Sequence, residues 1–183
     1  MIALGFVLIY KATEMVNFAQ GDLMMLGAFF AYSYINIFEL PFYLAFPATI
    51  LTMAIIGALT ERLLLRPMIG EPHFSVLMLT IGLGFILRAV AGAIWGNEPR
   101  SLSTPYAGGV IDLNGLIIGY ENMVIILGTA ALCLLLYLFF RFTRLGLAMQ
   151  AASQNQLAAF YVGIPVKRVY SMVWAISASI SAV

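Results

Sequence analysis

In so apolar a chain, any chemistry must come from the few polar residues it keeps, and these are grouped. The densest group is Lys11-Ala-Thr-Glu14-Met-Val-Asn17-Phe-Ala-Gln20-Gly21-Asp22, set between two apolar runs. Polar breaks at membrane depth persist only where protein or a watery cavity satisfies the backbone. Gly21 can take conformations that end a helix, and Asp22 or Asn17 could cap the start of the next one. A helix beginning there would aim its positive dipole end at the break, as the broken helices of transporters do toward anionic groups. Lys11 and Glu14, three apart, could meet on one helical face. The same residues also suit a plain cytoplasmic loop between two helices, and spacing leaves both readings open.

A second polar point is Arg88, inside the apolar run Phe74 to Trp95. A charge at that depth is costly, so it faces the protein interior or reaches an interface. It could serve as a counter-charge on a translocation path. Its place near the outer end of the run favours an interhelical pair or a side chain that snorkels outward. Covalent catalysis needs a nucleophile with a base, or a metal cluster. Ser75, Thr80 and Ser153 lack a plausible histidine, because the single His73 lies in a charged loop. Paired carboxylates are absent from the apolar runs, and the single Cys133 provides neither a disulfide framework nor a thiol metal site. No catalytic residue, metal site or cofactor is expected in this chain.

The third group is an uncharged stretch between charged ones. Gly146 to Gly163 reads GLAMQAASQNQLAAFYVG and lies between Arg144 and Lys167. Its alanines favour a helix, Gly163 is a natural stop, and Pro165 follows closely. Such a helix either inserts into a partner's groove or lies on the surface without one.

Composition says what must position these groups. Of 183 residues, 63% are apolar and 9% charged, against about 25% charged in soluble domains. Lipid makes polar cover unnecessary, so the chain is expected to be an all-α, polytopic transmembrane helical bundle. Net charge is +1, from 9 basic and 8 acidic residues, which leaves no basic excess for nucleic acid. Candidate spans are Leu40–Thr60, Phe74–Trp95 and Asn122–Phe140, with a shorter run Leu23–Phe38 and a terminal run Val169–Val183. None shows the period-two pattern of a barrel strand.

Arg62 and Arg66 lie in one loop, and Arg141, Arg144, Lys167 and Arg168 in another, so both loops are expected on the cytoplasmic side. The loop between them, Gly96 to Glu121, holds Arg100 against Glu98, Asp112 and Glu121 and should face outward, with Trp95 and Tyr120 as interfacial aromatics. Gly92 and Gly96 have a small-xxx-small spacing that could allow close helix contact. One membrane domain covers residues 1–183. Met1–Tyr10 is too short to span and has no basic residue before it, and the final run has no polar stop. The domain is therefore expected to be part of a longer permease-like protein, cut at both ends.

Two of these stretches carry a resemblance. Asn17-Phe-Ala-Gln-Gly-Asp-Leu-Met-Met-Leu-Gly-Ala-Phe resembles the signature of the branched-chain amino acid permeases of ATP-binding-cassette importers, among them the first permease type of the high-affinity leucine/isoleucine/valine system. Gly146 to Pro165, with Lys167 and Arg168, is similar to that family's cytoplasmic loop. The resemblance implies a bacterial inner-membrane subunit paired with a second permease, two cytoplasmic ATP-binding subunits that hold the ATP, and a periplasmic substrate-binding protein. It implies that Asn17, Phe18, Gln20, Gly21 and Asp22 line or shape the substrate pathway. It further implies a coupling helix to the ATPase drawn from Arg144, Gly146, Ala151, Ala152, Asn155, Ala158, Ala159 and Gly163. Ala152→Glu is then expected to block docking. This sequence departs from the family at Lys11 and Glu14, which many members replace with uncharged residues, and at Gln20, where histidine is commoner. Related systems carry urea and short amides. From the residues alone, rivals are an ion-gradient-driven transporter of small polar solutes, an intramembrane enzyme and an assembly partner without a pathway.

Overall fold

The computed structural model describes residues 2–68, 70–96, 98, 110–113 and 116–182. Among them the chain runs through α1 (Ile2–Thr13), α2 (Gln20–Tyr32), α3 (Phe42–Thr60), α4 (His73–Trp95), α5 (Tyr120–Phe142), α6 (Arg144–Gln154), α7 (Gln156–Tyr161) and α8 (Val166–Ser181). Arg100, expected in the outer loop, lies outside the described residues. A hairpin of β1 (Val110–Leu113) and β2 (Leu116–Gly119) precedes α5, pairing antiparallel with Val110 opposite Gly119. The all-helical expectation holds for the bundle. The hairpin, outside the apolar runs, is the exception, and its Val and Ile residues suit a pleated strand.

Among the described residues, three helices are long and apolar enough to cross a membrane: Phe42–Met68, Phe74–Trp95 and Asn122–Phe142. They match the expected spans, with the first extended at its C-terminal end. That extension is a π turn, Glu61–Leu65, followed by a 3-10 turn, Arg66–Met68. α2 likewise runs on into a π turn, Ser33–Ile37. Each π turn opens on a buried polar residue that bonds to another helix. Ser33 accepts from Trp95 Nε1 at 2.6 Å, and Glu61 accepts from Ser171 of α8. A π turn displaces the helix surface, and here it aims a polar side chain sideways at a partner it can satisfy.

α8 is the hub. It packs along α3 and α1 and also touches α2 and α6. Its buried face includes Val169, Tyr170, Val173, Trp174, Ser177, Ala178 and Ser181. The α3–α8 contact is the tightest, because Gly57 lets the backbone of Trp174 and the Ala178 methyl come against α3. Small residues of this kind give transmembrane helices their van der Waals contact. At the other extreme, none of the best apolar window of α5 is buried. Leu132, Leu136, Phe139 and Phe140 pack partly against the core, and the rest of that helix is open to lipid or to another subunit.

Trp95 corrects one expectation. Its ring does not face out of the protein but is 8% exposed, stacked on Phe29 at 5.2 Å and edge-on to Phe30 at 5.5 Å. The hydrogen bond to Ser33 gives its indole N–H a partner in the interior, which removes the reason to sit at the headgroups. Gly96 serves the end of α4: its N–H donates to the Gly92 carbonyl, its φ is +78°, and nothing lies within 4 Å of a carbon added there.

Candidate functional site

The polar break is buried and braced. α1 ends at Thr13, Glu14 turns the chain with φ 55°, and α2 begins at Gln20. Neither expected residue caps α2 in the ordinary way. Ala19 holds the N-cap position, and Asn17 Oδ1 instead accepts from Ala19 N–H at 3.0 Å, a local turn within the break. Asn17 Nδ2 donates to Gln20 Oε1 at 3.1 Å. Gln20 Nε2 donates to Ser181 Oγ at 2.6 Å and to the Ser177 carbonyl at 3.4 Å, and its Oε1 accepts from Ser177 Oγ at 3.2 Å. On the other side Thr80 of α4 accepts from Phe18 N–H at 3.3 Å and reaches the Val16 carbonyl at 3.5 Å. The backbone that the break leaves open is thus held by α4, and its side chains by α8. This is the interior alternative of the membrane rule rather than a solvated loop.

Gln20→Leu tests the brace. It would leave Asn17 Nδ2 without its acceptor in the interior, while Ser177 and Ser181 keep their bonds to the Gly5 and Ser177 carbonyls, at a cost of about 1–3 kcal/mol. The expected result is a lower unfolding temperature for the detergent-purified protein, with its helical content unchanged at low temperature.

Of the five break residues singled out, Asn17, Gln20 and Asp22 are buried, while Phe18 and Gly21 are exposed. Asp22 was expected at the break, and Arg88 as an interhelical pair or a snorkelling residue. The structure joins them: Arg88 Nε lies 2.5 Å from Asp22 Oδ1. Gly84 makes room, since a Cβ there would collide with Asp22 Oδ2. The pair is lopsided, with Asp22 9% exposed and Arg88 63%. A guanidinium open to lipid costs at least about 2.5–3.5 kcal/mol near mid-bilayer. This face of α4 therefore suits a watery path or another subunit better than acyl chains. Lys11 and Glu14 make no ion pair with each other among the described residues, because the chain turns at Glu14 instead of continuing the helix.

Two clefts lie in succession along one stripe of α4. The inner, about 560 Å³, is lined by Tyr10, Glu14, Met15, Val16, Phe74, Val76 and Leu77. The outer, about 200 Å³, is lined by Phe18, Asp22, Ile81, Phe85 and Arg88. Phe74, Leu77, Ile81, Phe85 and Arg88 follow the three-and-four spacing of a single helical face. Thr80 sits beside the stripe between the clefts, clamping the break where Phe18 projects. The two clefts together are amphipathic, with Glu14 in the inner one and the paired Asp22 and Arg88 in the outer.

The segment from Arg144 to Gly163, expected on the cytoplasmic side, differs from the single helix expected. Asn155 is extended (φ −156°, ψ 103°), so α6 ends before it and α7 starts after it. Its side chain caps α7 by accepting from Ala158 N–H at 2.9 Å. Ala152, Ala159 and Gly146 are buried within this chain, and Ala151 is half-buried. Arg144, Asn155, Ala158 and Gly163 are exposed, Gly163 with φ +86° just beyond α7. The open part of the segment is its tip, where Phe160, Tyr161 and Val162 are respectively 65%, 83% and 81% exposed. No group of residues suited to a metal ion occurs among the described residues.

A helical bundle of membrane-spanning length, with an internally braced break beside an amphipathic groove, defines a polytopic membrane protein of the permease class. The match to known proteins narrows this. The chain belongs to the family of permease components of the branched-chain amino acid transport system, whose model matches residues 1–183. It is 26% identical over 195 residues to the high-affinity branched-chain amino acid transport system permease protein BraD of Pseudomonas aeruginosa, covering 100% of this chain and 64% of the relative. It is 29% identical over 188 residues to the probable branched-chain amino acid transport permease protein LivH of Methanocaldococcus jannaschii, covering 100% and 59%. The corresponding LivH of Escherichia coli is 25% identical over 195 residues, with 100% and 63% covered. The chain thus spans about three-fifths of the length of these relatives. No solved structure matches it significantly.

Thr80, Ser177, Ser181 and Gly84 escaped the sequence reading as parts of the site. One signal was present: Ser177 and Ser181, four apart in an apolar helix, mark a polar stripe that needs a partner. Thr80 had no local signal, because its role depends on which helix faces it.

Proposed function

We propose that this chain is a membrane-spanning subunit of an ATP-driven importer for branched-chain or related amino acids in a bacterial inner membrane. A second permease would complete the pathway, two cytoplasmic ATP-binding subunits would hold the ATP, and a periplasmic binding protein would deliver the substrate. The chain itself would bind no cofactor and perform no covalent chemistry. The observation that carries the reading is the groove along α4 beside the braced break. Its walls are apolar, as a branched side chain requires, and charged groups stand along it to meet a zwitterion, Glu14 in the inner cleft and the Asp22–Arg88 pair in the outer. In this reading Asn17, Phe18, Gln20, Gly21 and Asp22 shape the pathway, and the α6–α7 segment couples it to an ATPase.

The test is to purify the full-length parent from native membranes, identify what copurifies, and measure uptake in vesicles. A second permease and an ATPase in the preparation, with ATP-dependent uptake of leucine, would support the importer. The protein alone, with uptake that collapses when the ion gradient is removed, would make a secondary transporter the better reading. Within the importer, Asn17→Leu is expected to reduce uptake about tenfold, from losing roughly 1.4 kcal/mol of positioning at the break. The assembled complex should still be recovered. Wild-type uptake in that variant would take the break out of the pathway.

A further inference from the structure

Arg88 has more hydrogen-bonding capacity than its partner uses. A guanidinium carries five N–H donors. Those given to Asp22 come from Nε, at 2.5 Å, and Nη2, at 3.4 Å. No other hydrogen bond of Arg88 is formed among the described residues, and its side chain is open toward the outer cleft. The unused donors include both N–H groups of Nη1, on the side away from Asp22. The Nη1–Nη2 edge is the one that takes a carboxylate bidentately. Asp22, buried on the Nε side against Gly84, reaches that edge only through the long contact to Nη2 and leaves Nη1 free. The remaining cleft wall is apolar, formed by Phe18, Ile81 and Phe85, and Phe85 also lies under the guanidinium at 5.9 Å.

We propose that Arg88 is the carboxylate-binding residue of the pathway, and that the outer cleft takes a small carboxylate with an apolar side chain, as an α-amino acid has. Asp22 is a positioning residue that holds the guanidinium with its open edge toward the cleft. Phe18, Ile81 and Phe85 receive the side chain. This rests on the importer reading and adds to it the atom that would read the substrate.

A simple interhelical ion pair would place the same two residues together, so the experiment must separate structure from binding. The full importer, with both permeases, its ATPases and its binding protein, is reconstituted in proteoliposomes, and ATP-driven uptake of radiolabelled leucine is measured. Arg88→Gln alone leaves a buried carboxylate unpaired and can fail to assemble. The double variant Asp22→Asn, Arg88→Gln removes both charges and is the decisive one. Expected is normal complex yield and normal stimulation of ATPase activity by the loaded binding protein, with uptake down at least about tenfold, as loss of a charged hydrogen bond implies. Asp22→Asn alone, which keeps the guanidinium but loosens its hold, should lower uptake by less than the double variant.

Wild-type uptake in the double variant would show that the pair serves only structure and would overturn the proposal while leaving the importer standing. Loss of uptake in Asp22→Asn as complete as in the double variant would move the essential role to Asp22 and also overturn it. No ATP-driven leucine uptake by the unaltered complex would overturn the importer reading, and this proposal with it.

Discussion

Gly57→Leu should abolish recovery of folded protein. A Cβ at this position would run into the carbonyl of Trp174 and the methyl of Ala178, and the carbonyl cannot rotate away because it belongs to the α8 backbone. Overpacking a side-chain contact costs about 1–3 kcal/mol when neighbours can move. Here the only relief is to part α3 from α8, the most extensive helix contact in the chain. Parting them also pulls on the α1 and α2 contacts of α8 and uncovers Gln20 beside Ser177 and Ser181. The summed loss is expected to exceed the few kcal/mol that a domain has in reserve. The measurement is the fraction of monodisperse protein after extraction from membranes, compared with Gly82→Ala. Gly82 has nothing within 4 Å of the added carbon, so that variant should behave as the parent. Equal recovery of Gly57→Leu would mean that α8 does not dock on α3 through this glycine.

The spans and the break were legible because hydropathy and charge are local properties. Leu40–Thr60 became Phe42–Thr60, and Phe74–Trp95 returned with one residue added. The break was readable because Asn17, Gln20 and Asp22 interrupt apolar runs, whatever packs on them. What holds it was not readable, since Thr80 and Ser177 are ordinary residues until α4 and α8 face α2. The π turns at Ser33 and Glu61 have the same origin. Each is a local irregularity matched to a distant partner, Trp95 or Ser171. Trp95 was misplaced for a related reason: sequence shows an indole near a helix end but not the two phenylalanines waiting for it. The division between α6 and α7 did leave a trace, because Asn155 before Gln-Leu-Ala-Ala is a good N-cap. The alanine content of the surrounding segment hid it.

That division decides which substitution can test the coupling segment. Ala152→Glu was the obvious choice while the segment read as one exposed helix. Ala152 is buried within this chain, beside the acidic residues Glu14 and Glu71 around a pocket of about 320 Å³. A glutamate there would bring a third acid into that surrounding and disturb α6 against α1 and α8 before any partner is involved. Tyr161 is the better position. It is 83% exposed at the end of α7, beside Phe160 and Val162, which are exposed as well. Exposed aromatic groups of this kind supply much of the binding energy at protein interfaces.

In the proposed importer, Tyr161→Asp should leave the folded permease intact and break its hold on the ATP-binding subunits. Burying an aspartate in the docking groove without a partner would cost about 3 kcal/mol or more, on the order of a hundredfold or greater in affinity. The measurement is the ATPase retained by the purified permease, together with the unfolding temperature of the permease itself. The expected result is loss of the ATPase at an unchanged unfolding temperature. Ala152→Glu should instead lower the unfolding temperature first. Full retention of the ATPase by Tyr161→Asp would place the coupling contact elsewhere on the cytoplasmic face, with Arg144 and the π turn at Glu61–Leu65 next to be examined.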